Sequence, residues 1–164
     1  MSIPAPVTDL YTVSVKPEWI DHNDHMNVAY YTLAFDLLID EWHEYLGLGP
    51  AYRKQAGVTT MAAECHIIYA RELRVGDPLT FTSMLLDHDE KRIHYYHEMF
   101  HGTEGYLAAT YEQVTLHMNT EQRRVAPMAP ALFDRLAAIK KSHDTLPRPK
   151  AVGRVMGVKA GRPL

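Results

Sequence analysis

The hydrophobic pattern of this chain changes period along its length, and each change marks an element. From Val28 to Leu46 the residues Tyr30, Ala34, Leu37, Leu38, Glu41, Trp42 and Tyr45 recur three or four apart, one face of a helix. Asn27 is a good N-cap type, because its side-chain oxygen can accept from the first unpaired backbone N–H groups. Gly47 and then Gly49-Pro50 stop the helix. Ahead of it, Asp9 to Lys16 alternates Leu10, Thr12 and Ser14 against Tyr11, Val13 and Val15, which predicts a first strand ended by Pro17. Behind it, residues 51–56 form a helical turn closed by Gly57. Val58 to Val75 is then β-rich, with Met61, Ala63, Cys65, Ile67 and Tyr69 on one face and Ala62, Glu64, His66, Ile68 and Ala70 on the other. Gly76-Asp77-Pro78 is a turn signal. The segments Leu79–Leu86, Ile93–Phe100 and Tyr106–Met118 read as three further strands, separated by the charged run Asp87–Arg92 and by Gly102–Gly105. A second helix follows Pro127 and Pro130, spanning Ala131 to Lys141 with Leu132, Phe133, Leu136 and Ile139 on its apolar side.

Helices set apart from an antiparallel meander make this an α+β chain, without the alternation of a parallel sheet. A long helix that is apolar on one broad face needs a sheet to cover it. Residues 1–145 form one domain on this reading. Residues 146–164, with three Pro, three Gly and five Lys or Arg, have little to bury and read as a tail, exposed or draped over a partner.

Composition removes several function classes. Of 164 residues, 46% are hydrophobic and 23% charged, and the formal net charge of -3 offers no basic field to nucleic acid. The single cysteine, Cys65, excludes an intramolecular disulfide and fits a reducing compartment. The start of the chain has no signal pattern, and no apolar run approaches the ~20 residues of a membrane span. The expectation is a cytoplasmic protein with no nucleic-acid or membrane partner.

The chemistry is concentrated in Trp19-Ile20-Asp21-His22-Asn23-Asp24-His25-Met26-Asn27, which runs straight into the long helix. A polar cluster at the positive end of a buried helix suits the stabilisation of a developing negative charge. The pattern Asp21-x-x-x-His25-Met26-Asn27-x-x-Tyr30-Tyr31 resembles the opening motif of the hotdog-fold acyl-CoA thioesterases of the 4-hydroxybenzoyl-CoA thioesterase type. Ala63-Glu64-x-x-x-x-Tyr69 and Leu73-Arg74-Val75-Gly76-Asp77-Pro78-Leu79 are similar to that family's second strand and turn.

The resemblance implies a five-stranded antiparallel sheet curved around one long helix, in a homodimer or tetramer whose active sites lie between subunits. It implies an acyl-CoA substrate and no cofactor or metal. Asp21 then stands at the catalytic carboxylate, as nucleophile or as base for water. The backbone N–H groups around Asn27 and Val28 would polarise the thioester carbonyl. His25 either orients Asp21, touches the substrate or makes a structural hydrogen bond, and Asn27 either holds water or caps the helix. The family commonly has Gly where this chain has Asp24, so Asp24 either reshapes the turn or presents a charge to the substrate.

Glu64 is a second candidate, as auxiliary base or as an edge-strand surface charge. Trp19, Tyr30, Tyr31 and Trp42 are core residues or, with nearby carboxylates, a site for a quaternary ammonium. Trp19-Ile20-Asp21-x-Asn23-x-His25-Met26 is similar to thioesterases of carnitine and betaine metabolism, which makes betainyl-CoA the specific substrate expected. Arg71, Arg74, Arg123 and Arg124 are available to CoA phosphates or are solvated surface charge.

Three other readings compete. His97-Glu98-Met99-Phe100-His101 matches the zinc-protease motif in letters, but that motif works on a helix. On the strand predicted here the two histidines stand about 13 Å apart. A hotdog hydratase or dehydratase also uses Asp and His before the central helix, though the spacing here is one residue short and the usual Pro is missing. A non-catalytic acyl-CoA or acyl-carrier binding module is the third.

Overall fold

The structure, a computed structural model, describes residues 3–158. Its centre is α1 (Val28–Leu46), capped by Asn27 and closed by Gly47 in the left-handed region at φ 92°. The buried stripe is Tyr31, Ala34, Phe35, Leu38, Ile39, Trp42, His43 and Leu46. This is turned by about one position from the predicted face, and Leu37 and Glu41 lie on the exposed side. The helix is apolar over more than one stripe, and aromatic packing selects among them. Phe35 meets Phe81 at 5.9 Å and Tyr111 at 5.0 Å between ring centroids.

The strands are β1 (Val7–Thr8), β2 (Val13–Ser14), β3 (Val58–Tyr69), β4 (Pro78–His88), β5 (Arg92–His101), β6 (Leu107–Asn119) and β7 (Arg124–Val125). They form one antiparallel sheet in the order β1-β4-β5-β6-β3, with β2 also on β4 and β7 on β6. The five positions of the expected hotdog sheet are therefore present. Of the first predicted strand, Asp9 to Lys16, only Val13–Ser14 is paired, and a separate short strand, Val7–Thr8, precedes it across Asp9, whose φ of 60° turns the chain out of the extended region. Each short strand finds its own stretch of β4: Val7 opposite Ser83, and Val13 opposite Leu79.

A bulge in β3 corrects the predicted faces. The register slips between Ala62 and Glu64, leaving Ala63 unpaired, so Ala62 faces Thr115 while Glu64 faces Val114. Cys65, Ile67 and Tyr69 then share the inner face with buried Tyr111 and Gln113, and Met61 joins Glu64 outside. The strand ends at Tyr69, before the predicted Val75, and its stretch 61–65 is exposed.

Two shorter helices, α2 (Pro50–Ala56) and α3 (Pro130–His143), complete the chain. Buried His143 joins three segments: its Nδ1 accepts the Leu85 N–H at 2.8 Å, and its Nε2 donates to Pro4 O at 3.0 Å. Burial lowers its pKa. The core also holds His43 and His97, the latter bonded through Nδ1 to Ser83 Oγ at 2.8 Å. Burial pushes His43 down to about 4 and His97 to about 3, and neither Nε2 has a partner among the described residues. The literal HExxH stretch thus lies at the end of β5, with His97 in the core and His101 beside Asp77 at 3.4 Å.

The tail is less exposed than the sequence suggested. Ala151 is buried with Leu86 and Tyr96, and the Gly153 N–H donates to Glu112 Oε2 at 2.8 Å on the outer face of the sheet. Val155, Met156 and Val158 beyond it are exposed, and residues 159–164 of the predicted tail lie outside the described residues. No helix among the described residues is long and apolar enough to cross a membrane.

Candidate active site

The segment before α1 folds into a small hairpin. Ile20 bridges Met26, and the Asn27 N–H donates to Trp19 O at 2.9 Å. Two buried side chains, Trp19 and Met26, anchor its arms, and the Met26 N–H ties it to Leu73 O at 2.8 Å. Within the loop the Asp24 N–H closes a turn onto Asp21 O at 3.1 Å, and the Asp21 N–H reaches His25 O at 3.1 Å. Asp24 sits at φ 60°, the conformation for which Gly is the default. Aspartate is one of the few other residues that enter this region, which is how the chain keeps the turn without the family's glycine.

This turn aims the Asp21 carboxylate at the helix start. Oδ1 accepts the Asn23 N–H at 2.8 Å, and Oδ2 accepts the Asn27 side-chain N–H at 3.3 Å. The side chain is 16% exposed, and His25 Nδ1 stands 3.8 Å from Oδ1. The Asn23 N–H, with smaller contributions from His25, His22 and Asn27, holds the carboxyl below the usual carboxylate range, so Asp21 is an anion at neutral pH. Asn27 in turn accepts the Ala29 N–H at 3.0 Å, so it is the cap and an Asp21 partner at once. The Val28 N–H, first of α1, has no acceptor among the described residues. A free helix N-terminal amide beside a fixed carboxylate is an arrangement that can polarise a carbonyl and attack it.

The other predicted residues divide. Tyr30 stacks on Trp19 at 5.7 Å and 13°, and the Lys16 ammonium lies 5.5 Å from the centre of the Trp19 ring. Trp19 is 3% exposed, so this pair is packing and not an open substrate surface. Tyr31 is also buried, its hydroxyl donating to Arg71 O at 3.4 Å, and burial raises its pKa to about 12. Against its ring lies Tyr69, which the sequence reading treated only as a motif position. Plain alternation along β3 gave no sign of this contact. Trp42 lies four turns into α1 and is wholly core. Arg71 and Arg74 sit on the 70–77 connection that touches the Asp21 hairpin, whereas Arg123 and Arg124 lie at the β6–β7 turn.

Glu64 is not brought to Asp21 within the chain. The bulge turns it outward, where it lines a cavity of about 530 Å³ with His66, His94, Glu112 and the tail residues 153–156. There His94 Nε2 pairs with Glu112 Oε1 at 2.8 Å, and Glu64 makes no such pair.

Comparison with known proteins identifies the frame. A profile of the thioesterase-like superfamily matches residues 15–136. Betainyl-CoA thioesterase from Pseudomonas aeruginosa is 34% identical over 152 residues, covering 93% of this chain and 96% of that protein. The L-carnitine dehydrogenase/betainyl-CoA thioesterase of Rhizobium meliloti is 31% identical over 92% of this chain, which spans 30% of that longer protein. Among solved structures, a Staphylococcus aureus protein in complex with CoA superposes with a TM-score of 0.85 at 27% identity, covering 96% of this chain and 99% of its own. A DHNA-CoA thioesterase, also from Staphylococcus aureus, shares the fold with a TM-score of 0.75 at 12% identity, over 82% of this chain and 92% of its own. The hairpin, the capped helix and the sheet wrapped around it are those of a thioester hydrolase, and the chain belongs to the thioesterase-like superfamily.

Proposed function

We propose that this thioester hydrolase acts on betainyl-CoA, with Asp21 as the reacting carboxylate and the Val28 N–H as an oxyanion donor. The observation that carries the reading is the Asp21 carboxylate fixed by the Asn23 N–H and the Asn27 amide beside the unpaired first amide of α1. The substrate comes from the 34% identity, over nearly the whole of both chains, to the Pseudomonas aeruginosa enzyme.

A thioester needs little acid assistance, because the thiolate already leaves well. Two routes balance. Asp21 attacks the carbonyl carbon, giving an acyl–aspartyl anhydride and CoA thiolate, and water then hydrolyses the anhydride. Alternatively Asp21 takes a proton from the water that attacks. A carboxyl held below its usual range is ionised at neutral pH, as both routes require.

The unit is a homodimer on this reading, completing the site at the edge strand β3. Support comes from the exposed stretch 61–65 at the sheet edge. Residues 1–145 are the catalytic domain, and residues 146–158 an appendage that reaches the outer face through Gly153. The single exposed thiol of Cys65 fits a cytoplasmic setting.

The test is thiol release from betainyl-CoA by wild type and Asp21→Asn, with folding checked by circular dichroism. A fall of 10³ or more, on the order expected for loss of a nucleophile, supports the reading. An Asn variant that keeps its rate would move the chemistry elsewhere.

A further inference from the structure

Among the described residues near the Asp21 hairpin, Tyr69 is the exposed aromatic ring. Trp19 is used up inside the protein by Tyr30 and Lys16. Tyr31 is 4% exposed, and its hydroxyl is tied to Arg71 O. Tyr69 ends β3 on the inner face and meets Tyr31 at 5.2 Å between centroids and 80° between planes, while remaining 47% exposed. The buried Tyr31 ring braces the exposed Tyr69 ring at a right angle. Tyr31 follows Val28 by three residues, so the two are neighbours on one side of α1. The braced ring is thus anchored on the first turn of α1, which also carries the candidate oxyanion amide.

We propose that Tyr69 sets the acyl specificity, its ring squared against Tyr31 to receive the cationic trimethylammonium of the acyl group. This rests on the betainyl-CoA reading above. In a betainyl thioester the charged nitrogen is two bonds from the carbonyl carbon. A carbonyl held between Asp21 and Val28 thus carries its cation to the first turn of α1. A quaternary ammonium donates no conventional hydrogen bond, so aromatic faces recognise it where directed acceptors do not. The bulge at Ala63 serves this arrangement, because it sets the phase that brings residue 69 to the inner face.

The test compares kcat/KM for betainyl-CoA with that for 3,3-dimethylbutanoyl-CoA, the uncharged carbon isostere, in wild type, Tyr69→Leu and Tyr69→Phe. Wild type should prefer the cation. Tyr69→Leu should lose on the order of tenfold on betainyl-CoA and nothing on the isostere, while Tyr69→Phe keeps the wild-type ratio. If wild type prefers the cation and Tyr69→Leu keeps that preference, the Tyr69 assignment is overturned and the betainyl reading stands. A loss on both thioesters alike also overturns it, since a purely structural ring would act so. A wild type indifferent to the charge removes the betainyl reading and this proposal with it.

Discussion

Asn27 donates its side-chain N–H to Asp21 Oδ2 at 3.3 Å while its side-chain oxygen accepts the Ala29 N–H at 3.0 Å. One residue thus starts the central helix and steadies the candidate nucleophile. The two roles separate by mutation. Asn27→Ala loses the cap, at about 1 kcal/mol, together with the contact to Asp21. Asn27→Ser keeps a capping oxygen but lacks the reach to Asp21. Urea melts should show Ser near wild type and Ala destabilised, while thiol release falls roughly 10- to 100-fold in both, as expected for a misplaced reacting group. Full activity in the Ser variant would show that the Asp21 contact is dispensable.

Asp24 at φ 60° gives a second prediction. Replacing it by Gly removes the steric cost of the left-handed region, offset by the extra freedom of Gly in the unfolded chain, so stability should stay within about 1 kcal/mol of wild type. Asp24→Val should lose at least about 1–2 kcal/mol, because a β-branched side chain fits that region poorly. The comparison is made by equilibrium denaturation. Equal stability of Gly and Val variants would mean that the turn is not conformationally constrained.

Buried His43 and His97 make the fold acid-sensitive. Burial holds both below the ordinary histidine value, to about 4 and about 3. Above pH 6.5 each is neutral in folded and unfolded chains, so their burial has its full effect. Below that, the unfolded chain binds protons the folded one refuses, and stability falls by up to about 1.4 kcal/mol per pH unit for each histidine. Unfolding free energies at pH 7 and pH 5 should differ by several kcal/mol. His97→Gln, which can still bond Ser83, should reduce that slope and leave the share of His43 and of His143, whose pKa burial also lowers. An unchanged slope in this variant would assign the acid lability to other groups.

The same groups order the acid side of the rate profile. Asp21 titrates below the usual carboxylate range, so it remains ionised down through pH 5. Between pH 8 and 6.5 kcat/KM should be level on its account. The first loss on acidification should follow the unfolded fraction seen by circular dichroism. A rate that halves near pH 6 in protein that is still fully folded would exclude Asp21 as the ionised group required for reaction.

Much of this was legible in the sequence because it rests on local chemistry. Asn27 and Gly47 bound α1 where a cap residue and a left-handed glycine must act, and the turns at Gly57 and Gly76 fall where expected. The loop motif brought Asp21, His25 and Asn27 together because all three lie within seven residues. Their positions follow from short-range hydrogen bonds.

What escaped the sequence depends on contacts between distant segments. The helix has apolar residues on several sides, and only Phe81 and Tyr111 across the sheet decide that Phe35, rather than Leu37, turns inward. Asp9 turns the chain between β1 and β2 at a backbone angle that alternation does not reveal. A single unpaired residue, Ala63, shifts every later side chain of β3 relative to those before it, because side chains in a strand alternate with period two. That slip sends Glu64 to the outer face. The sequence by itself determined the polar loop, the capped helix and the carboxylate at its start, since these are built from neighbours in the chain. Which ring of β3 reaches Tyr31, and which carboxylate is turned to the outer face, was decided by strand register, which exists only once the sheet has formed.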